Sequence, residues 1–95
     1  MLYQMEEWQD TTNNMWHCNC TKSLGTGSGY WWHPARIMGI SPAEYLQWVI
    51  DNYKPDKVCH SLDGSVIWFE WNSKERMRAY KNRINALARK VNYQI

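Results

Sequence analysis

Alternating apolar and polar positions near the N-terminus predict two short strands. The alternation is weak in residues 2–9 and clearer in residues 15–21, where Trp16, Cys18 and Cys20 fall on one face. The five residues between these segments, Asp-Thr-Thr-Asn-Asn, have the composition of a turn. We therefore expect the two segments to form a β-hairpin.

Glycine and proline divide the middle of the chain. Residues 22–29 contain three glycines and are predicted to form a loop, because glycine stabilises neither a helix nor a strand. Residues 33–39 predict a short helical turn, with Pro34 near its start and Gly39 at its left-handed end. A loop followed by a helical turn is the expectation for this part of the chain.

The run Ser-Pro-Ala-Glu at residues 41–44 is the best helix-start signal in the sequence. It combines a capping serine, proline at the first helical position and glutamate at the third, which is the pattern of a capping box. Pro55 disfavours helical geometry at Lys54, so the helix is predicted to end near Tyr53. Its expected buried face consists of Leu46, Val49, Ile50 and Tyr53.

The dipeptide Asp-Gly at residues 63–64 predicts a second hairpin, because both residue types tolerate the positive φ of a two-residue turn. Such a turn sets Val58 opposite Phe69 and Lys57 opposite Glu70. We expect the face with Val58 and Phe69 to point into the core. The charged pair is expected to point to solvent.

A three-four repeat of apolar residues predicts a final helix that begins at Asn72 or Ser73 and ends near Val91. Ala79 and Ala86 lie on the opposite side, where small side chains permit the close approach of another surface. A homo-oligomer is one hypothesis that follows. The apolar stripe consists of Met77, Tyr80, Ile84, Leu87 and Val91.

The order strand, strand, helix, strand, strand, helix predicts an α+β fold. We expect an antiparallel sheet made of two hairpins, with helices packed on one face. Ninety-five residues suffice for one domain, spanning residues 1–95. Seven Trp, six Tyr and one Phe can fill a dense core in so short a chain.

Composition excludes several classes of protein. A hydrophobic fraction of 44% and a net charge of +2 exclude a disordered chain, and no apolar run has the ~18 residues of a membrane span. The first residues lack the basic start and apolar centre of a signal peptide. Three cysteines cannot close a complete disulfide framework. We therefore expect a cytoplasmic protein without a membrane partner.

The charge is distributed unevenly along the sequence. Residues 1–73 carry four Lys or Arg against eight Asp or Glu, whereas residues 74–95 carry seven against one. A helix this basic is suited to an anionic partner, such as a nucleic-acid backbone or an acidic protein, or to the acidic surface of its own chain. The alternative is a solvated helix whose Lys and Arg stems cover the edges of the core. The basic surface comprises Arg76, Arg78, Lys81, Arg83, Arg89 and Lys90.

A glycine-rich segment directly precedes an aromatic run, and together they form the candidate ligand site. Glycine-rich backbone can surround a phosphate, and exposed aromatic rings stack on nucleobases. The alternative is that the glycines form a plain connection and that at least two of the three rings belong to the core. The residues assigned to this site are Gly25, Gly27, Gly29, Tyr30, Trp31, Trp32 and Arg36.

The thiols raise the question of a metal site. Cys18, Cys20 and Cys59 are an alternative set of zinc ligands, but a one-residue spacing differs from that of typical zinc-binding pairs. Buried thiols that behave as small apolar side chains are the competing interpretation. No nucleophile elbow or ordered Cys-His signature is present. We therefore expect no enzymatic activity, no resident metal and no cofactor.

One aromatic run carries a resemblance to a known group of proteins. Residues 29–41 read Gly-Tyr-Trp-Trp-His-Pro-Ala-Arg-Ile-Met-Gly-Ile-Ser, and the matching residues beyond them are Glu44, Tyr45, Tyr80, Lys81, Asn82 and Tyr93. With these residues the chain resembles small uncharacterised proteins encoded by phages and prophages of Gram-positive bacteria. The resemblance implies a protein that disables a host factor or sequesters a signalling molecule, and it assigns no site residues.

These features predict a non-catalytic binding module for an anionic, base-containing ligand, which is either a nucleotide or a nucleic acid. A phage protein of this kind would sequester a ligand or counter host defence in the host cytoplasm. The alternative is an inhibitor or interaction module directed at an acidic host protein. It would act through the basic helix and exposed tryptophans.

Overall fold

The computed structural model describes residues 1–22, 32–62 and 67–95, and within these ranges the chain has an α+β fold. The predicted class is confirmed. The elements in chain order are β1 (Glu6–Gln9), β2 (Trp16–Asn19), α1 (Trp32–Met38), α2 (Pro42–Tyr53), β3 (Lys57–His60), β4 (Ile67–Glu70) and α3 (Lys74–Val91).

The strands form the two predicted hairpins. In the first, β1 and β2 are antiparallel with Gln9 opposite Trp16, and Asn14 takes a positive φ of 59° in the intervening turn. In the second, β3 and β4 pair with Lys57 opposite Glu70, which confirms the predicted register. The Asp-Gly turn at residues 63–64 lies outside the described residues.

The two hairpins remain separate two-stranded sheets that meet at one point. There Trp16 and Trp71 exchange two backbone hydrogen bonds, with N···O distances of 2.7 and 3.0 Å. Each strand is only four residues long, so little backbone is available to extend the pairing further. Within the described ranges this Trp16–Trp71 bridge supplies the backbone hydrogen bonds between the hairpins, and side-chain contacts of Glu70 lie next to it.

Local capping chemistry sets the helix ends. At the start of α2 the Glu44 N–H donates to Ser41 Oγ over 3.2 Å, and the Ser41 N–H donates to Glu44 Oε1 over 3.4 Å, so the capping box is confirmed. Ser73 caps α3 in the same position, and Asn92 ends it with a positive φ of 52°. Gly39 also takes a left-handed φ, 68°, directly after α1.

The buried faces of α2 and α3 differ from the predicted ones by a small rotation. On α2, Tyr45 and Val49 are buried, whereas Ile50 is exposed. On α3, Val91 is exposed and the buried set includes an asparagine. The buried residues of α3 are Met77, Tyr80, Ile84, Asn85 and Ala88.

The first five residues do not form the strand predicted for residues 2–9. They run beside the C-terminal half of α3, where the Tyr3 N–H donates to the Tyr93 carbonyl over 3.0 Å. The side chain of Asn85 satisfies the Met5 backbone as a neighbouring strand would. Its oxygen accepts from the Met5 N–H at 2.6 Å, and its amide nitrogen donates to the Met5 carbonyl at 3.1 Å. Both Met5 and Asn85 are buried.

Glu70 faces the interior, contrary to the expected outward Lys57–Glu70 pair. Its exposed fraction is 4%, whereas Lys57 and Val58 are exposed. The reason is that both faces of β4 are covered at this end. Phe69 packs into the aromatic core, and Glu70 faces the β1–β2 hairpin, where Asn13 donates to it over 3.0 Å.

None of the helices in the described ranges is long and apolar enough to span a membrane.

The Asn85 contact generates a prediction for stability. We expect Asn85→Ala to lower the free energy of unfolding by about 2–4 kcal/mol, because it leaves a buried N–H and a buried carbonyl of Met5 without partners. Urea denaturation of the purified variant measures the change. Asn82→Ala is the matched control, since Asn82 is exposed on the same helix, and it should change stability by less than about 0.5 kcal/mol. Equal effects of the two substitutions would contradict the role given to Asn85.

Candidate functional site

The structure describes part of the candidate ligand site. Trp32 and Arg36 lie on α1, whereas five of the assigned residues lie outside the described ranges. Those five are Gly25, Gly27, Gly29, Tyr30 and Trp31.

Helix α1 separates a buried face from an outward face. The buried residues of α1 are Pro34, Ala35 and Ile37. Trp32 and Arg36 lie together on the other side of the helix, because residues four apart are neighbours on a helix surface. The Arg36 guanidinium carbon lies 3.3 Å from the centroid of the Trp32 ring. This cation–π contact holds an exposed, charged side chain flat against a half-buried ring.

Arg36 has no ion-pair partner among the residues that the structure describes. One face of its guanidinium rests on Trp32, and the side chain as a whole is exposed. A planar cation held in this way can stack on a base or pair with a phosphate.

His33 belongs to the packing of α1. Its Nδ1 lies 2.8 Å from the Tyr93 hydroxyl, and its ring meets the ring of Tyr3 at a centroid distance of 5.7 Å. Burial, with a further contribution from the charge of Arg36, lowers the pKa of His33 below its usual value. The contact with Tyr93 places α1 beside the last turn of α3.

Three of the predicted basic surface residues are neutralised within the fold. Arg76 pairs with Asp56 over 2.7 Å, while Arg78 and Lys81 both pair with Glu7, over 2.6 and 2.8 Å. Hydrogen bonds from Arg78 first, and then from Lys81, lower the pKa of Glu7 to about 2. These three cations therefore compensate the protein's own acidic residues.

The other three basic residues, Arg83, Arg89 and Lys90, are exposed and form no ion pair within the described ranges. Arg89 and Lys90 lie in the last turn of α3, where positive charge also offsets the negative end of the helix dipole. Arg36 on α1 is likewise exposed and has no ion pair within these ranges. Among the residues predicted for the ligand site and the basic surface, we call Arg36, Arg83, Arg89 and Lys90 the unpaired basic group.

The three cysteines do not assemble into a ligand set. Cys18 and Cys20 are buried in the core, and burial raises the pKa of the Cys18 thiol. The Cys59 thiol instead donates to Glu70 Oε1 over 3.5 Å, and its pKa is raised by burial and by the charge of Glu70. No disulfide links any of them. Among the described residues the three thiols form no ligand cluster, so the alternative zinc set is not assembled.

A different cluster of side chains forms where the hairpins meet. His17 Nε2 lies 3.8 Å from Asp10 Oδ2 and 3.5 Å from Glu70 Oε1, and the three potential ligand atoms lie within 4.8 Å of one another. The sequence did not predict this cluster, because the pattern of β4 placed Glu70 in solvent. A signal existed, since Asp10 begins the predicted turn of the first hairpin and His17 follows three residues after its end.

The double ion pair of Glu7 generates a pH prediction. Glu7→Gln should destabilise the protein at neutral pH. The folded pKa of Glu7 is depressed to about 2 from the ordinary 4.5, so its stabilising effect is fully present above pH 4.5 and is lost as the pH falls through about 2. The difference in unfolding free energy between wild type and variant should therefore shrink on acidification, as measured by urea denaturation across pH.

Glu6→Gln is the matched control for this experiment, because Glu6 is exposed on the same strand and accepts one hydrogen bond from Thr21. Its effect on stability should be small at every pH. A Glu7→Gln effect that stays constant down to pH 2 would contradict the ion-pair assignment.

Comparison of the chain with protein-family models, with curated proteins and with solved structures finds no match in any of the three.

Proposed function

We propose that the protein is a binding module for a small anionic ligand that contains a base, either a nucleotide or a short single-stranded nucleic acid. The observation that carries this proposal is the exposed Arg36 guanidinium, which lies over Trp32 and has no carboxylate partner in the described part of the chain.

The Arg36–Trp32 pair favours a ligand with a planar base. Guanidinium planes and aromatic rings are the two protein surfaces on which bases stack. Contact with Trp32 already orders Arg36, so less side-chain entropy is lost when a ligand binds. The proposal therefore assigns base stacking or phosphate pairing to Arg36 and support of its orientation to Trp32.

The distribution of unpaired charge favours a short ligand. Arg76, Arg78 and Lys81 are occupied by Asp56 and Glu7, which removes half of the basic track predicted along α3. On α3, Arg83, Arg89 and Lys90 remain without ion pairs within the described ranges. Fewer phosphates can be neutralised along this helix than its sequence predicts, so affinity should depend less steeply on salt.

An acidic protein partner would engage the same cations but would not require a stacking platform. This distinction separates the two functions considered for the chain, since only base recognition makes Trp32 and the plane of Arg36 essential.

The proposal predicts that Arg36→Gln weakens binding of a short fluorescent single-stranded oligonucleotide or a labelled nucleotide. We expect a loss of about tenfold or more, because one stacking contact contributes about 1–3 kcal/mol. Fluorescence anisotropy at low ionic strength measures the affinity. Arg76→Gln is the matched control, since it removes an equal charge that Asp56 already neutralises.

Equal losses for Arg36→Gln and Arg76→Gln would show binding by net charge alone and would contradict a built site. Undetectable binding of either probe by the wild-type chain would contradict the proposed function itself. Capture of an acidic protein that survives nuclease treatment and Arg36→Gln would favour the interaction-module alternative.

A further inference from the structure

The carboxylate of Glu70 is a buried charge without a fixed cationic partner. Only 4% of the residue is exposed, and its donors are the neutral groups Asn13 Nδ2 at 3.0 Å, Trp68 Nε1 at 3.3 Å and Cys59 Sγ at 3.5 Å. Within the described ranges no Lys or Arg pairs with it, although Lys57 is its cross-strand neighbour. Burying a carboxylate without a paired positive charge is costly, so a cation bound next to Glu70 would stabilise the site.

His17 is aimed at that carboxylate and at a second one. The residue is 7% exposed, and its ring stacks on Trp8 with a centroid distance of 5.7 Å and an interplanar angle of 4°. Its Nε2 atom faces Glu70 Oε1 at 3.5 Å and Asp10 Oδ2 at 3.8 Å. Both separations are longer than a normal N–H···O hydrogen bond.

These separations instead resemble the spacing of ligands around a metal ion. Ligands about 2.1 Å from a tetrahedral ion are about 3.4 Å from one another. The distance from Nε2 to Glu70 Oε1, 3.5 Å, is close to this value, and that to Asp10 Oδ2, 3.8 Å, is somewhat longer. All three ligand atoms lie within 4.8 Å of one another, so Asp10 has to move inward to complete the site. The half-buried Asp10 side chain, 31% accessible, is the ligand best able to close on an ion that enters from solvent.

We propose that Asp10, His17 and Glu70 bind one divalent transition-metal ion of the zinc type. An imidazole nitrogen with two carboxylate oxygens suits late first-row divalent ions better than Mg²⁺ or Ca²⁺, which take oxygen ligands. Three protein ligands leave one position of a tetrahedral ion open to water or to an anionic group of a ligand.

Contacts outside the ligand set hold all three side chains in orientation. The Thr12 N–H and hydroxyl both donate to Asp10 Oδ1, over 2.9 and 2.7 Å, which leaves Oδ2 directed toward His17. Asn13 donates to Glu70 Oε2, whereas Oε1 accepts from Trp68 Nε1 and Cys59 Sγ and is the carboxylate oxygen that faces His17 Nε2. Outer contacts of this kind are a regular feature of metal sites.

The competing explanation is that a protonated His17 serves as the counter-ion of the two carboxylates. Glu70→Gln separates the two explanations, because it keeps the shape of the side chain and removes its charge. If the cluster is a metal site, Glu70→Gln should weaken metal binding and should leave the stability of the metal-free protein unchanged or increase it. If the cluster is a structural ion pair, Glu70→Gln should lower the stability of the metal-free protein.

The experiment is calorimetric titration of Zn²⁺ into the untagged, chelator-treated chain. We expect saturable binding of one ion per chain, and an affinity loss on the order of 100-fold or more for His17→Gln and for Glu70→Gln, because removing a ligand should exceed the 10–100-fold cost of losing an outer contact. His60→Gln is the matched control, since His60 is exposed on β3 and outside the cluster. Circular dichroism establishes that each variant is folded.

Two further measurements make the assignment of ligands specific. Substituting Co²⁺ for Zn²⁺ should give the intense visible absorption of a tetrahedral site without a thiolate charge-transfer band. Cys59→Ser should retain binding, because serine can still donate to Glu70.

Several outcomes would overturn the proposal. They are no saturable Zn²⁺ binding by the wild type, equal binding by wild type and His17→Gln, and loss of binding only when a cysteine is replaced. A fall in the metal-free stability of Glu70→Gln without a change in metal affinity would establish the structural ion pair instead.

Discussion

The Trp16–Trp71 bridge is the contact on which the rest of the structure depends. The backbone of Trp71 joins the two hairpins, its indole N–H donates to the Tyr53 carbonyl at the end of α2 over 2.8 Å, and its ring stacks on Tyr80 of α3 at 5.2 Å. Trp71 is fully buried, so these contacts are formed without competition from water. Trp71 thus connects both sheets with two helices. Such a residue contributes strongly to stability here, because the chain is too short to bury a large aliphatic core.

The same bridge creates the polar cluster. His17 follows Trp16 on β2 and Glu70 precedes Trp71 on β4, so antiparallel contact at the two tryptophans brings the next two residues face to face. Asp10 joins them because the turn between β1 and β2 folds back over this end of β4. A buried carboxylate and a buried imidazole are therefore products of how the hairpins meet. They lie apart from the unpaired basic group, whose members are on α1 and α3.

Features encoded by neighbouring residues could be predicted from the sequence. The capping box at Ser41 and the register of β3 with β4 each depend on a few adjacent residues and are confirmed. Features set by distant residues could not be predicted. Glu7 neutralises Arg78 from 71 positions away, and Asn85 supplies the hydrogen bonds of Met5 from 80 positions away. The candidate site shows the same division, since the pairing of Trp32 with Arg36 follows from helical spacing, whereas the burial of Glu70 depends on tertiary packing.

The most direct test of this account is an anomalous difference map, recorded at the zinc absorption edge, from crystals of the full chain grown with Zn²⁺. The account predicts one strong peak about 2.0–2.2 Å from His17 Nε2, Asp10 Oδ2 and Glu70 Oε1. A map without a peak at these atoms, or with its peak at the cysteine sulfurs, would contradict it.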